Sequence, residues 1–138
     1  MEADRLVYTE KMKTIIKTQN APDPIGPYSQ AVKAGGFLFV SGQVAITPPN
    51  GELVLDNIKA EATRVMENIN AILTEAGLNF THVVKTNIFL RDMQDFAQVN
   101  EVYGSYFTDN FPARETVAVL GLPKNVNVEI SVVAIAGE

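Results

Sequence analysis

Short stretches rich in β-branched and aromatic residues recur along the chain, and such stretches are typical of β-strands. They occupy residues 14–16, 30–32, 37–44, 82–90, 115–120 and 126–135. Gly35 and Gly36 predict the turn between the second and third strands, and Asn50-Gly51 predicts a hairpin turn further on. A loop at 20–27 contains three prolines, which disfavour regular structure there. The pattern thus predicts six strands.

Between the third and fourth strands the hydrophobic period changes to that of an α-helix. Apolar residues recur there at spacings of three and four, at Ile58, Ala62, Val65, Ile69, Ile72 and Ala76. We expect Asp56 to cap the start of this helix and Gly77 to end it. A second helix is predicted over about 95–107, where one face carries Phe96, Val99, Tyr103 and Tyr106.

The order of elements is strands, helix, strand, helix, strands, which predicts an α+β fold: a single mixed β-sheet with two helices on one face. In the strand at 82–90, alternation places Val84, Thr86, Ile88 and Leu90 on one face. The other face of the sheet still carries apolar side chains that two helices cannot cover. We therefore expect the protein to associate with copies of itself.

The amino-acid composition supports self-association and excludes several kinds of partner and prosthetic group. Charged residues make up 20% of the chain, below the roughly 25% of an average domain. The formal net charge of −5 argues against a nucleic-acid or anionic-membrane partner. The absence of cysteine excludes disulfides and iron–sulfur clusters, and a single histidine, His82, leaves little for a metal site. We expect no metal.

The ends of the chain and its apolar runs bear on location and domain organisation. The longest apolar run, from Val132 to Ala136, falls far short of the roughly 18 residues of a membrane span. The first residues lack the basic and apolar regions of a secretory signal, so we expect a cytoplasmic protein. Residues 1–11 are interpreted as a natural extension or an added leader, and residues 12–138 as one domain.

Arg114 and Glu129 are the strongest candidates for chemistry. Arg114 follows Phe111-Pro112-Ala113, where a guanidinium can grip a carboxylate with two parallel hydrogen bonds; the alternative is a surface salt bridge. Glu129 lies inside an apolar strand, where its carboxylate either faces water or is partly buried with a raised pKa. If the turn at 122–125 joins the last two strands as a hairpin, both residues share a face, about 13 Å apart.

Other polar residues lie beside predicted turns or on the second helix. Tyr28, Ser41 and Gly42 offer hydroxyls and flexible backbone to a ligand, although such residues are also ordinary in turns. Asn100 lies on the second helix and can equally be a plain surface residue. We expect His82 to be structural.

These segments together resemble the RidA/YjgF family of imine and enamine deaminases. The similarity rests on Ile25-Gly26-Pro27-Tyr28-Ser29-Gln30-Ala31, Ser41-Gly42-Gln43, Lys85-Thr86-Asn87-Ile88-Phe89-Leu90, Pro112-Ala113-Arg114 and Val128-Glu129-Ile130. The resemblance implies a chorismate-mutase-like fold assembled as a homotrimer, with the three sheets forming a central β-barrel and the sites between subunits. It further implies hydrolysis of 2-iminopropanoate and 2-iminobutanoate to 2-keto acids and ammonia, without a cofactor.

The resemblance also assigns roles to residues. Arg114 matches the arginine that binds the substrate carboxylate, and Glu129 matches the glutamate near the reacting carbon and a water. Tyr28, Ser41, Gly42, Asn100 and Thr116 match the cleft lining or its neighbourhood. Ser131 stands where many members have a second acid, and Thr116 where some have a cysteine.

Two rival functions remain beside hydrolysis. One is a non-catalytic trimer that senses small carboxylates or regulates another enzyme through the same cleft. The other is RNA cleavage, which has been associated with relatives. The acidic net charge and the single histidine disfavour RNA cleavage.

Overall fold

A computed structural model describes residues 12–49 and 51–137, so the interpretation of residues 1–11 lies outside the described residues. The main strands are β1 (Thr14–Ile16), β2 (Ala31–Ala34), β3 (Phe37–Gln43), β6 (Val83–Leu90), β7 (Ala113–Ala118) and β8 (Val128–Ile135). A small separate pair consists of β4 (Ile46–Thr47) and β5 (Glu52–Leu53). In the described part of the chain the two α-helices are α1 (Ile58–Glu75) and α2 (Phe96–Gly104), and short 3-10 helices cover Phe80–His82, Met93–Asp95 and Pro123–Asn125.

The six main strands form one sheet in the order β1-β2-β3-β8-β6-β7. All neighbouring strands are antiparallel except β6 and β7, which are parallel. Parallel neighbours need a crossover, and α2 lies on the connection between them. The mixed α+β sheet predicted from the sequence is confirmed.

The predicted hairpin between the last two strands is wrong. β8 pairs with β3 on one side and β6 on the other, while β7 lies at the sheet edge against β6 alone. The apolar content of β8 accounts for this central position, because Val128, Ile130, Val132 and Ala134 are all buried. The 3-10 helix Pro123–Asn125 therefore ends a longer connection that passes β6.

Helix α1 supplies the largest part of the core under the sheet. Its predicted apolar stripe is confirmed, with Ala62, Val65, Ile69 and Ile72 fully buried. Gly77 adopts the left-handed φ of +79° just beyond the end of α1. The predicted cap is off by one residue: Asn57, not Asp56, is the N-cap, and its side chain accepts a hydrogen bond from Ala60 N at 2.8 Å.

Helix α2 and strand β6 also differ in detail from the sequence prediction. Helix α2 ends at Gly104, three residues before the predicted limit, and buries Val99 and Tyr103. In β6 the pairing with β8 shifts between Val83 and Lys85, so Val83 is buried in place of Val84. An extra residue at this irregularity reverses the alternation that the sequence pattern assumes.

The face of the sheet away from the helices carries exposed apolar side chains. Phe37, Phe39, Val117 and Ile135 are between 43% and 48% exposed there. This agrees with the expectation that the second face carries apolar side chains, and α1 and α2 both lie on the other face. Among the described residues, no helix is long and apolar enough to cross a membrane.

Candidate functional site

Glu129 lies in a cavity of about 340 Å³ at the junction of β3, β8 and the proline-rich loop. Four of the residues selected from the sequence line this cavity: Tyr28, Ser41, Gly42 and Glu129. β3 departs from regular pairing with β8 between Val40 and Gln43, and this irregularity brings Gly42 against the Glu129 side chain. A bulge of this kind is a frequent way to re-aim residues beside a site.

The carboxylate of Glu129 is half-buried, and burial raises its pKa above the ordinary value. It forms no hydrogen bond or ion pair with any of the residues that the structure describes. A carboxyl group with a raised pKa and no partner among the described residues is suited to take a proton and to return it. Of the two alternatives that the sequence left open for Glu129, the structure favours the partly buried carboxyl with a raised pKa over one that simply faces water.

A buried glutamine shapes the opposite wall of the cavity. Gln30 Nε2 donates to the carbonyls of Thr18, Ala21 and Pro22, and its Oε1 accepts from Thr18 N at 2.7 Å. These bonds hold the proline-rich loop against the start of β2. Ser41 Oγ donates to Ser29 O at 2.6 Å, which ties the end of β3 to the same wall.

Arg114 lies elsewhere, at the start of β7. Its guanidinium carbon is 5.6 Å from the ring centre of Phe96 and 5.3 Å from that of Tyr103. Its Nη1 donates to Asn100 Oδ1 on α2. Among residues 12–49 and 51–137 it forms no salt bridge, so the alternative of a surface ion pair finds no support there. Two aromatic contacts and one hydrogen bond orient the guanidinium and leave further donors for an anion.

The rings that hold Arg114 are themselves fixed. Tyr103 is buried and its hydroxyl donates to Thr86 Oγ1 at 2.9 Å. Burial is the main cause that raises the pKa of Tyr103, with smaller opposing effects from Thr86 and Arg114. A cavity of about 430 Å³ opens beside this group, lined by Asn100, Tyr103, Gly104, Phe111, Pro112 and Arg114.

Thr116 follows Arg114 on the same face of β7, because their partners on β6 are Ile88 and Thr86. Its Oγ1 is buried and lacks a hydrogen-bond partner within the described part of the chain. Thr116 lines neither of the two cavities described above.

Arg114 and Glu129 do not share a face of the sheet, contrary to the hairpin register. Arg114 is paired through Thr86 to Val132, whereas Glu129 is paired to Phe89 and, through it, to Val117. Val132 and Glu129 are an odd number of residues apart on β8, so their side chains point to opposite faces. A hairpin with turn residues 122–125 pairs Gly121 with Val126 and therefore Arg114 with Val133. The observed partner is Val132, and this difference of one residue reverses the face on which Arg114 lies. Within one chain, the two residues belong to separate cavities.

Two buried polar residues on α1 were missed by the sequence analysis. Glu61 and Asn68 are both 0% exposed. A signal existed, since each lies three residues after a member of the apolar stripe, at Ile58 and Val65, where a core-facing residue is expected.

His82 has a structural role. Its Nδ1 accepts a hydrogen bond from Asn79 N at 3.1 Å in a capping box around the 3-10 helix Phe80–His82. In the described part of the chain, no group of three acidic or histidine side chains is placed to hold a metal ion.

The fold and the two cavities define an α+β protein with two clefts of a size that suits small molecules. The model of the endoribonuclease L-PSP family matches residues 18–136. A RutC family protein of Pyrococcus horikoshii is 53% identical over 89% of this chain and 98% of its own length. The human 2-iminobutanoate/2-iminopropanoate deaminase is 45% identical over 91% of this chain and 92% of its own length.

A solved structure is also similar to this chain in both fold and sequence. Escherichia coli TdcF with bound serine superposes with a TM-score of 0.84 at 40% identity, covering 88% of this chain and 98% of that protein. The chain belongs to the endoribonuclease L-PSP family, also called the RidA/YjgF family.

Proposed function

We propose that this protein is a cytoplasmic homotrimer that hydrolyses small 2-imino acids, such as 2-iminopropanoate and 2-iminobutanoate, to 2-keto acids and ammonia. The activity printed for the human relative at 45% identity supports this substrate class. Arg114 and Glu129 are the catalytic residues of the proposal, and Tyr28, Ser41, Gly42, Asn100 and Thr116 form or support the cleft.

The observation that carries the proposal is that the Arg114 guanidinium is held in place by its neighbours without an ion-pair partner among the described residues. Its guanidinium is oriented by Phe96, Tyr103 and Asn100 and has no ion-pair partner among the described residues. A guanidinium that is fixed but not neutralised is suited to bind a planar carboxylate through two parallel hydrogen bonds. Every 2-imino acid carries such a carboxylate next to the carbon that reacts.

Glu129 supplies the acid–base chemistry. A protonated imine is a strong electrophile, so the protein needs mainly to orient it and to deliver water. The Glu129 carboxylate takes a proton from water as the oxygen bonds to the imine carbon and the C=N electron pair moves to nitrogen. Protonated Glu129 then gives its proton to that nitrogen. The C–N bond breaks, ammonia leaves, and the carbonyl forms as the hydroxyl loses its proton to Glu129.

The separation of the two residues supports a site shared between chains, and the number of three chains is what the resemblance to the RidA/YjgF family implies. Because Arg114 and Glu129 lie on opposite faces of one sheet, they act on one substrate only if each comes from a different chain. The exposed apolar face with Phe37, Phe39, Val117 and Ile135 offers a surface for a second copy. Closed rings of identical subunits join two different surfaces in this way.

A coupled assay tests the activity. A pyridoxal-phosphate-dependent dehydratase generates the imine, and keto-acid release is followed with the wild type, Arg114→Ala and Glu129→Ala. We expect both variants to fall to the uncatalysed rate. The exposed ion pair Lys59–Glu101 provides matched charge controls, since Lys59→Ala and Glu101→Ala should retain the wild-type rate. Unchanged keto-acid formation in the Arg114 and Glu129 variants would contradict the proposed roles.

Ligand binding without catalysis is the second candidate function. It is favoured by the serine bound to the E. coli relative, since serine is a small carboxylate that is not an imine. Binding of serine that depends on Arg114, together with no acceleration of imine hydrolysis by the wild type, would favour this function over hydrolysis.

A further inference from the structure

Helix α1 presents two polar side chains to the core beneath the Glu129 cavity. Glu61 and Asn68 are seven residues apart, which is close to two helical turns, so they project from the same side of α1. Both are fully buried, and burial of polar groups is costly unless they are hydrogen-bonded. The hydrogen bonds of Glu61, and two of the three hydrogen bonds of Asn68, join residues that line the Glu129 cavity or immediately precede Glu129.

Glu61 binds the residues that immediately precede Glu129. Its Oε2 accepts hydrogen bonds from Asn127 N at 2.7 Å and Val128 N at 3.2 Å. Its Oε1 accepts from Asn127 Nδ2 at 2.8 Å. Arg91 N donates to Asn127 O at 3.0 Å from the other side. The start of β8 is therefore fixed from two directions within two residues of Glu129.

Asn68 holds the wall of the same cavity that follows the end of β3. Its Nδ2 donates to Val44 O at 3.1 Å and Ile46 O at 2.9 Å, and both of these residues line the cavity. Arg64 Nη2 donates to Asn68 Oδ1 at 2.9 Å, which fixes the orientation of the amide. One helix thus sets the distance between the end of β3 and the start of β8.

That distance matters because Glu129 and Gly42 have no spare room between them. A Cβ built at Gly42 would lie 2.7 Å from Glu129 Cδ, closer than real atoms pack. A small shift of the start of β8 would therefore change where the Glu129 carboxylate lies. Glu61 also contributes to stability, because without it the N–H groups of Asn127 and Val128 would lose their acceptor. A change in kcat per folded molecule therefore distinguishes positioning of Glu129 from stability alone.

We propose that Glu61 is a positioning residue for Glu129: its buried carboxylate fixes the start of β8 so that the Glu129 carboxylate stays against Gly42. The proposal rests on the proposed function, which makes Glu129 the acid–base group. Glu61 itself touches no substrate in this arrangement, because it lies beneath the sheet and is fully buried.

The test compares Glu61→Leu, Glu61→Asp and Glu61→Gln in the full chain. Leu removes all three acceptor interactions, and Asp keeps the charge but withdraws it by one methylene group. Gln keeps one oxygen that can accept from both Asn127 N and Val128 N, and its NH2 can donate to Asn127 Oδ1 when that amide turns over. Ile72→Val is the matched control, because Ile72 is fully buried on the same helix but bonds to nothing near Glu129.

We expect Glu61→Leu and Glu61→Asp to lower kcat per folded molecule by about tenfold or more, with KM nearly unchanged, since Arg114 still binds the carboxylate. Glu61→Gln and Ile72→Val should stay close to the wild type. If Glu61→Leu does not fold, the kcat of Glu61→Asp tests whether Glu61 positions Glu129.

A second readout does not depend on activity. The carboxyl ¹³C NMR titration of Glu129 should move toward the ordinary glutamate value in Glu61→Asp, because the displaced side chain becomes more hydrated, and should not move in Ile72→Val. A folded Glu61→Asp variant with the wild-type titration and kcat would overturn the proposal. If the wild type hydrolyses no imine, the proposed function fails, while the titration still tests the position of Glu129.

Discussion

Gly42 lies directly against the carboxylate of Glu129, so that a Cβ at residue 42 would lie 2.7 Å from Glu129 Cδ and 3.0 Å from Cγ. The backbone irregularity of β3 between Val40 and Gln43 places the glycine there. The need for glycine at this position is one of space, because any larger side chain would occupy the volume that the Glu129 carboxylate fills.

Gly42→Ala should therefore displace Glu129. We expect imine hydrolysis to fall by about tenfold or more. The free energy of unfolding should change little, since the atoms that the added methyl meets belong to the flexible end of the Glu129 side chain, which can move into the cavity. Gly121→Ala is the control, because a Cβ at Gly121 meets no atom within 4 Å. Steady-state kinetics and thermal unfolding of both variants measure the effect; a Gly42→Ala variant with wild-type kinetics would rule out the tight contact.

The raised pKa of Glu129 predicts a pH dependence of stability. A carboxyl group whose pKa is higher in the folded state binds more protons when folded, so its contribution to stability is full below the unfolded pKa. That contribution is lost as pH rises through the raised folded pKa. Glu129→Gln should remove this loss, which denaturant unfolding between about pH 4 and pH 8 can measure. Parallel stability curves for the two proteins would contradict the prediction.

The hydrogen bond from Arg114 to Asn100 predicts an effect on substrate affinity. Asn100→Ala should raise KM by about three- to tenfold, because the guanidinium loses one of the contacts that orient it and the net worth of such a bond is roughly 1 kcal/mol. Stability and kcat should change little, since Asn100 is exposed. Glu101→Ala, next to it on α2, serves as the control. An unchanged KM would contradict this prediction and show that the rings of Phe96 and Tyr103 alone orient the Arg114 guanidinium.

Local patterns predicted the elements well because their causes are local. The apolar stripe of α1 and the left-handed Gly77 follow from helical spacing and from the conformational freedom of glycine. The N-cap is Asn57 rather than the predicted Asp56. The sequence does not distinguish these adjacent candidates, because Asn and Asp cap helices equally well.

Strand pairing was predicted less well because it depends on the whole chain. The hairpin expectation for β7 and β8 assumed that consecutive strands pair, whereas the apolar β8 lies in the sheet centre and β7 lies at the edge. As a result, Arg114 lies on the face opposite Glu129 and not on the same face. The sequence indicated both residues as candidates, but it did not predict where they lie relative to each other. Glu61 and Asn68 were missed because periodicity was sought among apolar residues alone.

The family description as an endoribonuclease raises the question of RNA. A net charge of −5 opposes association with a polyanion, and this repulsion is strongest at low salt. We expect no retention of single-stranded RNA by the protein at low ionic strength and no cleavage products. Salt-sensitive RNA binding would contradict this expectation and revive the nuclease function.

The most direct test of a site shared between chains mixes two inactive variants. Arg114→Ala retains Glu129, and Glu129→Ala retains Arg114, so a site between one chain of each type recovers both groups. With equal, random mixing in a closed ring, about a quarter of the sites are complete. We predict that co-expressed hybrids recover roughly a quarter of the wild-type rate of imine hydrolysis, while each variant alone stays inactive. Hybrids as inactive as their parents would contradict the account.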